Sequence, residues 1–170
     1  MRKTSIYFAL CCCLLAMASS AWAQSNRKPG LWEMTSNTTW VQSPMPPGMQ
    51  TPAGSPFAGG SRTSQVCLTQ AMIDKYGAPV PQPGHCTIDN LVIKPTSMSA
   101  DMVCTGRMNV KATMESSWTN PDIAHGKIHF IGTMQAGQSP RPVEWTVEST
   151  SVYKGPDCGS VKPMAMPDSK

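Results

Sequence analysis

Apolar residues recur at every second position through much of the chain. In 27–40, RKPGLWEMTSNTTW, the residues Trp32, Met34 and Trp40 fall on one side; Glu33, Thr35, Asn37 and Thr39 fall on the other. In 108–118, Met108, Val110, Ala112, Met114 and Trp118 alternate with Asn109, Lys111, Thr113, Glu115 and Ser117. In 143–153, Val143, Trp145, Val147 and Tyr153 alternate with Glu144, Thr146, Glu148 and Thr150, and in 128–134 Ile128, Phe130 and Met134 oppose His129, Ile131 and Thr133. A helix needs apolar residues three and four apart; alternation of this kind predicts half-buried antiparallel strands.

Turn residues divide these runs. Thr119-Asn120-Pro121-Asp122 separates two strands and Gly137-Gln138-Ser139-Pro140 the next two. Gly106 either turns the chain or kinks one long strand. The expected meander comprises 31–41, 63–68, 86–94, 98–105, 108–118, 124–135 and 142–153. Seven short strands with regular breaks predict an all-β fold, a strongly curved sheet or a small barrel. One short helix is expected over QAMIDKYG, capped by Thr69 and stopped at Gly77. The segment 42–61 has five prolines and four glycines in twenty residues. It is expected to be a flexible loop, idle or used for interaction.

The ends change the picture. Met1-Arg2-Lys3, a mostly apolar run from Ile6 to Ala18 and the exit Ala21-Trp22-Ala23 form a signal-peptide pattern over 1–23. Its apolar run of about 13 residues is short for a membrane span. Cys11-Cys12-Cys13 lacks a small residue in front, which argues against a lipid-attachment site. The expected location is periplasmic or secreted, after cleavage near Ala23. Residues 24–158 are expected to form one domain, and 159–170 a frayed tail.

Without 1–23 the chain has 147 residues, enough to bury a real core. Loss of Arg2 and Lys3 leaves 12 basic residues against 10 acids, a net charge of +2. There is no Lys/Arg run, so no nucleic-acid partner is expected, and no second long apolar segment to span a membrane.

Four cysteines remain after the leader: Cys67, Cys86, Cys104 and Cys158. In an exported chain they read as two disulfides with three possible connectivities. A hairpin about Lys94-Pro95-Thr96 brings Cys86 to Cys104, and elimination pairs Cys67 with Cys158. A zinc site is the competing reading, but the spacings of 18, 17 and 53 residues hold no close ligand pair.

KPGLWEMT, QVCLT at 65–69, the cysteine before TIDNLVI, CTG at 104–106 and GPDCG at 155–159 occur in an order that resembles domain-of-unknown-function family 3617, a group of exported bacterial proteins. The resemblance implies a small envelope protein of β-strands and brings no active-site residues with it. The chain departs from it in running 12 residues past Cys158 and in its generous proline-rich loop.

Candidate chemistry is sparse. Glu144 and Glu148 on one strand face stand about 13 Å apart, beyond the roughly 5–9.5 Å of paired glycosidase carboxylates. His125 and His129 would chelate a metal from a helix, but on a strand are separated by the same distance. His85 lies in a loop. No nucleophile elbow, phosphate cradle or dinucleotide fingerprint is present, so the chain is expected to be no enzyme and to need no metal or cofactor. Eleven methionines remain after Met1 and Met17 are removed. Thioethers favour Cu(I), which makes Met45, Met49, Met164 and Met166 a candidate soft-ligand set; Met34, Met108, Met114 and Met134 read as core filler.

The expected core face, or apolar-ligand face, is Trp32, Met34, Trp40, Met108, Val110, Met114, Trp118, Phe130, Trp145 and Val147. A small barrel fills its interior with such side chains, whereas a wider one holds a ligand. Two roles follow: an interaction module for an envelope protein, working through 42–61 and a sheet edge, or a lipocalin-like carrier of a small apolar ligand.

Overall fold

The computed structural model describes residues 26–45, 58–80, 85–136 and 139–164. Its elements are β1 (Gly30–Gln42), β2 (Gly60–Leu68), α1 (Gln70–Tyr76), β3 (His85–Lys94), β4 (Ser97–Thr105), β5 (Met108–Asn120), β6 (Ile123–Ala136) and β7 (Ser139–Gly155). All pairings between strands are antiparallel, in the order β2-β1-β7-β6-β5-β4-β3. Strands β3 to β7 are the expected meander, and Gly106 lies in the turn between β4 and β5 rather than inside one strand. The β1–β2 hairpin does not continue the meander by sequence; it adds to β7 at the far side.

The barrel expectation is corrected here. β2 and β3 are the two edges and do not pair, so the sheet curls without closing. The chain fills the gap instead of the ladder. Thr69 accepts a hydrogen bond from the Met72 N–H, and Gly77 at φ 69° ends α1, the expected cap and stop. Met72, Ile73 and Tyr76 are buried, as are Ala78 and Val80 beyond them. A Cβ on Gly77 would lie 3.2 Å from Ile93 Cγ2, so the helix leaves β2 and finishes against β3. It crosses the opening between the edges and buries its apolar side under the curl.

Inward positions make one core that includes Trp32, Trp118, Met102 and Val143. Pro140 and Pro142 are tolerated in β7 because β1 pairs only as far as Glu144, leaving the chain beyond as an edge. At the β3 edge, the register shifts between Asp89 and Val92. Asn90 takes φ 50° there and donates from Nδ2 to Asp101 Oδ2 at 2.7 Å. Bulges of this kind blunt an edge against unwanted pairing.

Cys86 and Cys104 are directly opposed in the β3–β4 register and bonded, and Cys67 is bonded to Cys158. The second disulfide returns the chain end to β2. Met164 N–H donates to the Cys67 carbonyl at 3.1 Å, and Pro163 bridges to Cys67. The frayed tail expected over 159–170 therefore does not begin at 159; residues 165–170 lie outside the described residues, as do 1–25 and most of the proline-rich segment. No described helix is long and apolar enough to cross a membrane.

Candidate functional site: a cavity under the curled sheet

The register sets the inward side chains in rows across the sheet. Trp40, Trp145 and Phe130 form one row; Phe130 and Trp145 stack with centroids 4.4 Å apart, and Trp40 lies 5.0 Å from Trp145. Val147, Ile128 and Met114 form the next row. Then the side chains shrink: Ser36, Ser149, Gly126 and Ser116 lie side by side on four neighbouring strands. Beyond them come Met34, Ser151 and Ala124. Small residues placed together in the middle of a large-residue face leave unfilled volume, because neighbouring strands fix the backbone that would otherwise close it.

The result is a cavity of about 270 Å³. Its far end is walled by Phe130 and Trp145. Ala78 and Pro79, from the turn after α1, and Met164, from the returning C-terminal segment, also line it. Met34, Met98, Met114 and Met164 contribute to its wall. Unbranched thioether side chains adapt to differently shaped neighbours at low cost.

The remaining wall is Arg27. The two indoles at this end are anchored to the end loops: Trp32 Nε1–H donates to the Lys28 carbonyl at 3.0 Å, and Trp118 Nε1–H to the Pro95 carbonyl at 2.7 Å. The Arg27 guanidinium lies 4.4 Å over the Trp32 ring and 5.8 Å from that of Trp118, within cation–π range. Its residue is 4% exposed. Burial lowers its pKa from the ordinary arginine value to about 10, so it remains a cation at physiological pH. Lys28, the next residue, points elsewhere and pairs with Asp122 at 2.7 Å.

Of the expected face, Trp32, Val110, Met114, Trp118, Phe130 and Trp145 are buried, while Met34, Trp40, Met108 and Val147 are partly buried. Met34, Met114, Phe130, Trp145 and Val147 line the cavity. Trp32 and Trp118 stack with its arginine, and Val110 and Met108 belong to the packed core. Of the expected copper ligands, Met164 joins the cavity wall, and Met49 and Met166 lie outside the described residues.

The opposite face has a broader depression of about 730 Å³, open to solvent and lined by polar residues such as Thr35, Asn37, Ser99 and His125. Polar contacts run between its strands. Lys127 pairs with Glu148 at 3.0 Å, and His125 Nδ1 lies 3.3 Å from Thr150 Oγ1. Farther along, His129 meets Glu144 at 3.0 Å. The depression is broad, polar and open, whereas the inner cavity is mostly apolar and enclosed on several sides by chain.

Sequence reasoning passed over Arg27, Ser36, Ser116, Ser149 and Ser151. A signal existed for the serines. Ser116 interrupts the series between Met114 and Trp118, and Ser149 and Ser151 interrupt the series between Val147 and Tyr153. Each gap falls at an inward position, and the gaps meet only once the register is known.

A family model described as a protein of unknown function (DUF3617) matches residues 27–158. The match begins at the cavity arginine and ends at the cysteine that closes the second disulfide. No curated protein matches the chain, and no solved structure does.

Proposed function

Since the chain belongs to the DUF3617 family of proteins of unknown function, we propose a role from its own geometry: it is a non-enzymatic binding protein of the bacterial envelope that carries a small apolar molecule under its curled sheet. The observation that carries this reading is the 270 Å³ cavity with its methionine, phenylalanine and tryptophan wall. Ligand sites are concave, mostly apolar and furnished with few polar groups. The volume is roughly nine times the ~30 Å³ of a water molecule, so the cargo has on the order of ten non-hydrogen atoms.

The signal-peptide pattern of 1–23 and the two disulfides support export to an oxidising compartment. Binding rather than catalysis is supported by the state of the reactive side chains. All four cysteines beyond the leader are in disulfides, and Glu144 and Glu148 are held by His129 and Lys127 on the outer face.

Native mass spectrometry of protein recovered from the envelope tests the proposal. The expected result is an added small mass that dissociates on denaturation. A clean apo mass in every preparation, with no uptake from a panel of small amphiphiles, would count against it.

A second reading, an interaction module, has the position of β2 in its favour: residues 60–65 are exposed on the strand that ends the sheet. Removing 46–57 while leaving both strands intact separates the two roles. A carrier keeps its ligand uptake; an interaction module loses its partner and stays folded.

A further inference from the structure

We propose that the molecule carried is an uncharged amphiphile whose alcohol- or carbonyl-type head hydrogen-bonds to Ser149 and Ser151, with its apolar body directed toward Phe130 and Trp145. This rests on the cavity being a ligand site. It goes further by assigning polarity, charge and direction to what the site takes.

The order of the rows sets the direction. Along β7 the inward residues run Ser151, Ser149, Val147, Trp145, and on its two neighbours Met34–Ser36 and Ala124–Gly126 pass into Trp40 and Ile128–Phe130. Hydroxyls therefore gather at one end of the cavity and aromatic rings at the other. Four residues separate Ser149 from Trp145, about 13 Å of strand.

The state of the hydroxyls selects two of the four. Ser116 Oγ donates to the His125 carbonyl at 3.0 Å and Ser36 Oγ to the Arg62 carbonyl at 3.5 Å. Ser149 and Ser151 make no side-chain hydrogen bond among the described residues. Ser151 is only 5% exposed. Ser149 Oγ lies over Gly126, where a Cβ would stand 2.8 Å from it, so the absent side chain makes room for the hydroxyl. Neither oxygen is sealed in protein, and both residues line the cavity. A buried hydroxyl without a partner is costly, and a ligand atom that bonds it removes that cost.

Charge follows from what the wall offers. A serine hydroxyl has one O–H donor and two lone pairs, enough for an alcohol, ketone or amide head. An ionised head brought under the sheet loses its hydration and needs several partners in return. The cation on the wall, Arg27, is committed to its indole stack 4.4 Å over Trp32, with Nε and Nη2 buried. Glu115 alternates with the inward Met114 and Ser116, so its side chain stands on the outer face and borders the depression there. Two hydroxyls thus suit a neutral head better than a carboxylate or an ammonium.

Isothermal titration with three probes of matched length, 1-octanol, octanoate and octylammonium, tests the proposal on the full mature chain. At pH 7 the wild-type protein is expected to bind 1-octanol at least about tenfold more tightly than either ion, the direction set by the cost of burying charge. Octanoate affinity should rise toward that of 1-octanol as its own carboxyl protonates, around pH 4–5. Replacing Ser149 and Ser151 together by alanine should weaken 1-octanol binding about fivefold, the scale of a neutral hydrogen bond. Ser117→Ala, exposed on the outer face, should leave it within about twofold. Ser151→Ala without ligand should melt no lower than wild type, because the hydroxyl it removes has no partner to lose; near-ultraviolet circular dichroism checks that each variant holds its tryptophan packing. Either ion binding at pH 7 as tightly as 1-octanol, unchanged 1-octanol affinity in the double variant, or a lower melting point for Ser151→Ala would overturn the inference and leave the cavity reading standing. Failure of all three probes to bind would overturn both.

Discussion

Phe130 and Trp145 face each other across the β6–β7 pair with ring planes 6° from parallel and centroids 4.4 Å apart. The two strands supplying them are consecutive in the meander, so the contact is local in sequence. Trp40 reaches Trp145 of the same stack from β1, 105 residues away in sequence. Local and distant parts of the chain thus meet at the apolar end of the cavity.

Trp145→Ala or Phe130→Ala should lower unfolding free energy by about 3–5 kcal/mol, the range for truncating a buried aromatic. Ile131→Ala, one residue along but on the outer face at 53% exposure, should change it by less than about 0.5 kcal/mol. Urea unfolding followed by tryptophan fluorescence measures both. Similar losses at 130 and 131 would mean that the inward assignment is wrong.

The two disulfides should differ in worth. They close loops of 18 and 91 residues, which the chain-entropy relation converts to about 3 and about 4.6 kcal/mol. Replacing Cys67 and Cys158 by alanine should therefore cost more than replacing Cys86 and Cys104. It should also expose the Met164 amide, bonded to the Cys67 carbonyl, to hydrogen exchange. Protection of that amide without the disulfide would show that the segment holds itself in place.

Burial makes the charged form of Arg27 costlier in the folded state than in the unfolded chain. Its folded pKa is lowered to about 10 from the ordinary arginine value, so the folded state holds its proton less tightly. That cost is fully present below about pH 10 and is relieved as pH rises above it. Relative to wild type, Arg27→Met should therefore lose stability advantage as pH rises above about 10. Thermal unfolding of both proteins at pH 7, 9 and 11 reads the difference. An advantage that grows with pH would contradict the buried-cation account.

Two glycines are fixed by close approach of backbone. A Cβ on Gly30, at φ 128°, would lie 2.8 Å from Pro156 Cα and closer still to the Gly155 carbonyl; one on Gly132 would lie 2.7 Å from Val110 Cα. Gly30→Ala and Gly132→Ala should each destabilise by more than about 2 kcal/mol, because backbone must shift to admit the methyl group. Gly60→Ala, with φ 81° and open space around it, should cost only the left-handed backbone term, about 1–2 kcal/mol. Denaturation midpoints at constant m-value distinguish them; a loss at Gly60 larger than at Gly132 would refute the packing argument.

Period two made the strands legible because each inward residue declares its side locally. The run Met108 to Trp118 became β5, and Thr69 and Gly77 bounded the helix where their cap chemistry indicates. The Lys-Pro-Thr turn put Cys86 opposite Cys104. What the pattern does not encode is curvature. Alternation is the same in a closed barrel and an open curl, and only the missing β2–β3 ladder separates them. Arg27 was hidden for a related reason. A basic residue ahead of Lys-Pro-Gly looks like a solvated lead-in until Trp118 is brought to it from β5, beside Trp32 of the neighbouring β1. The serine row is likewise invisible until Ser36, Ser116 and Ser149 are set side by side.

The most direct measurement is nuclear magnetic resonance of protein labelled at the methionine methyl groups, titrated with 1-octanol. The account predicts shifts concentrated at Met34, Met98, Met114 and Met164, which line the cavity. Met72 and Met102, buried but away from its wall, should remain in place. Saturable shifts at Met72 and Met102 instead, or no shift at any cavity methionine, would contradict the claim that the curled sheet encloses a ligand site.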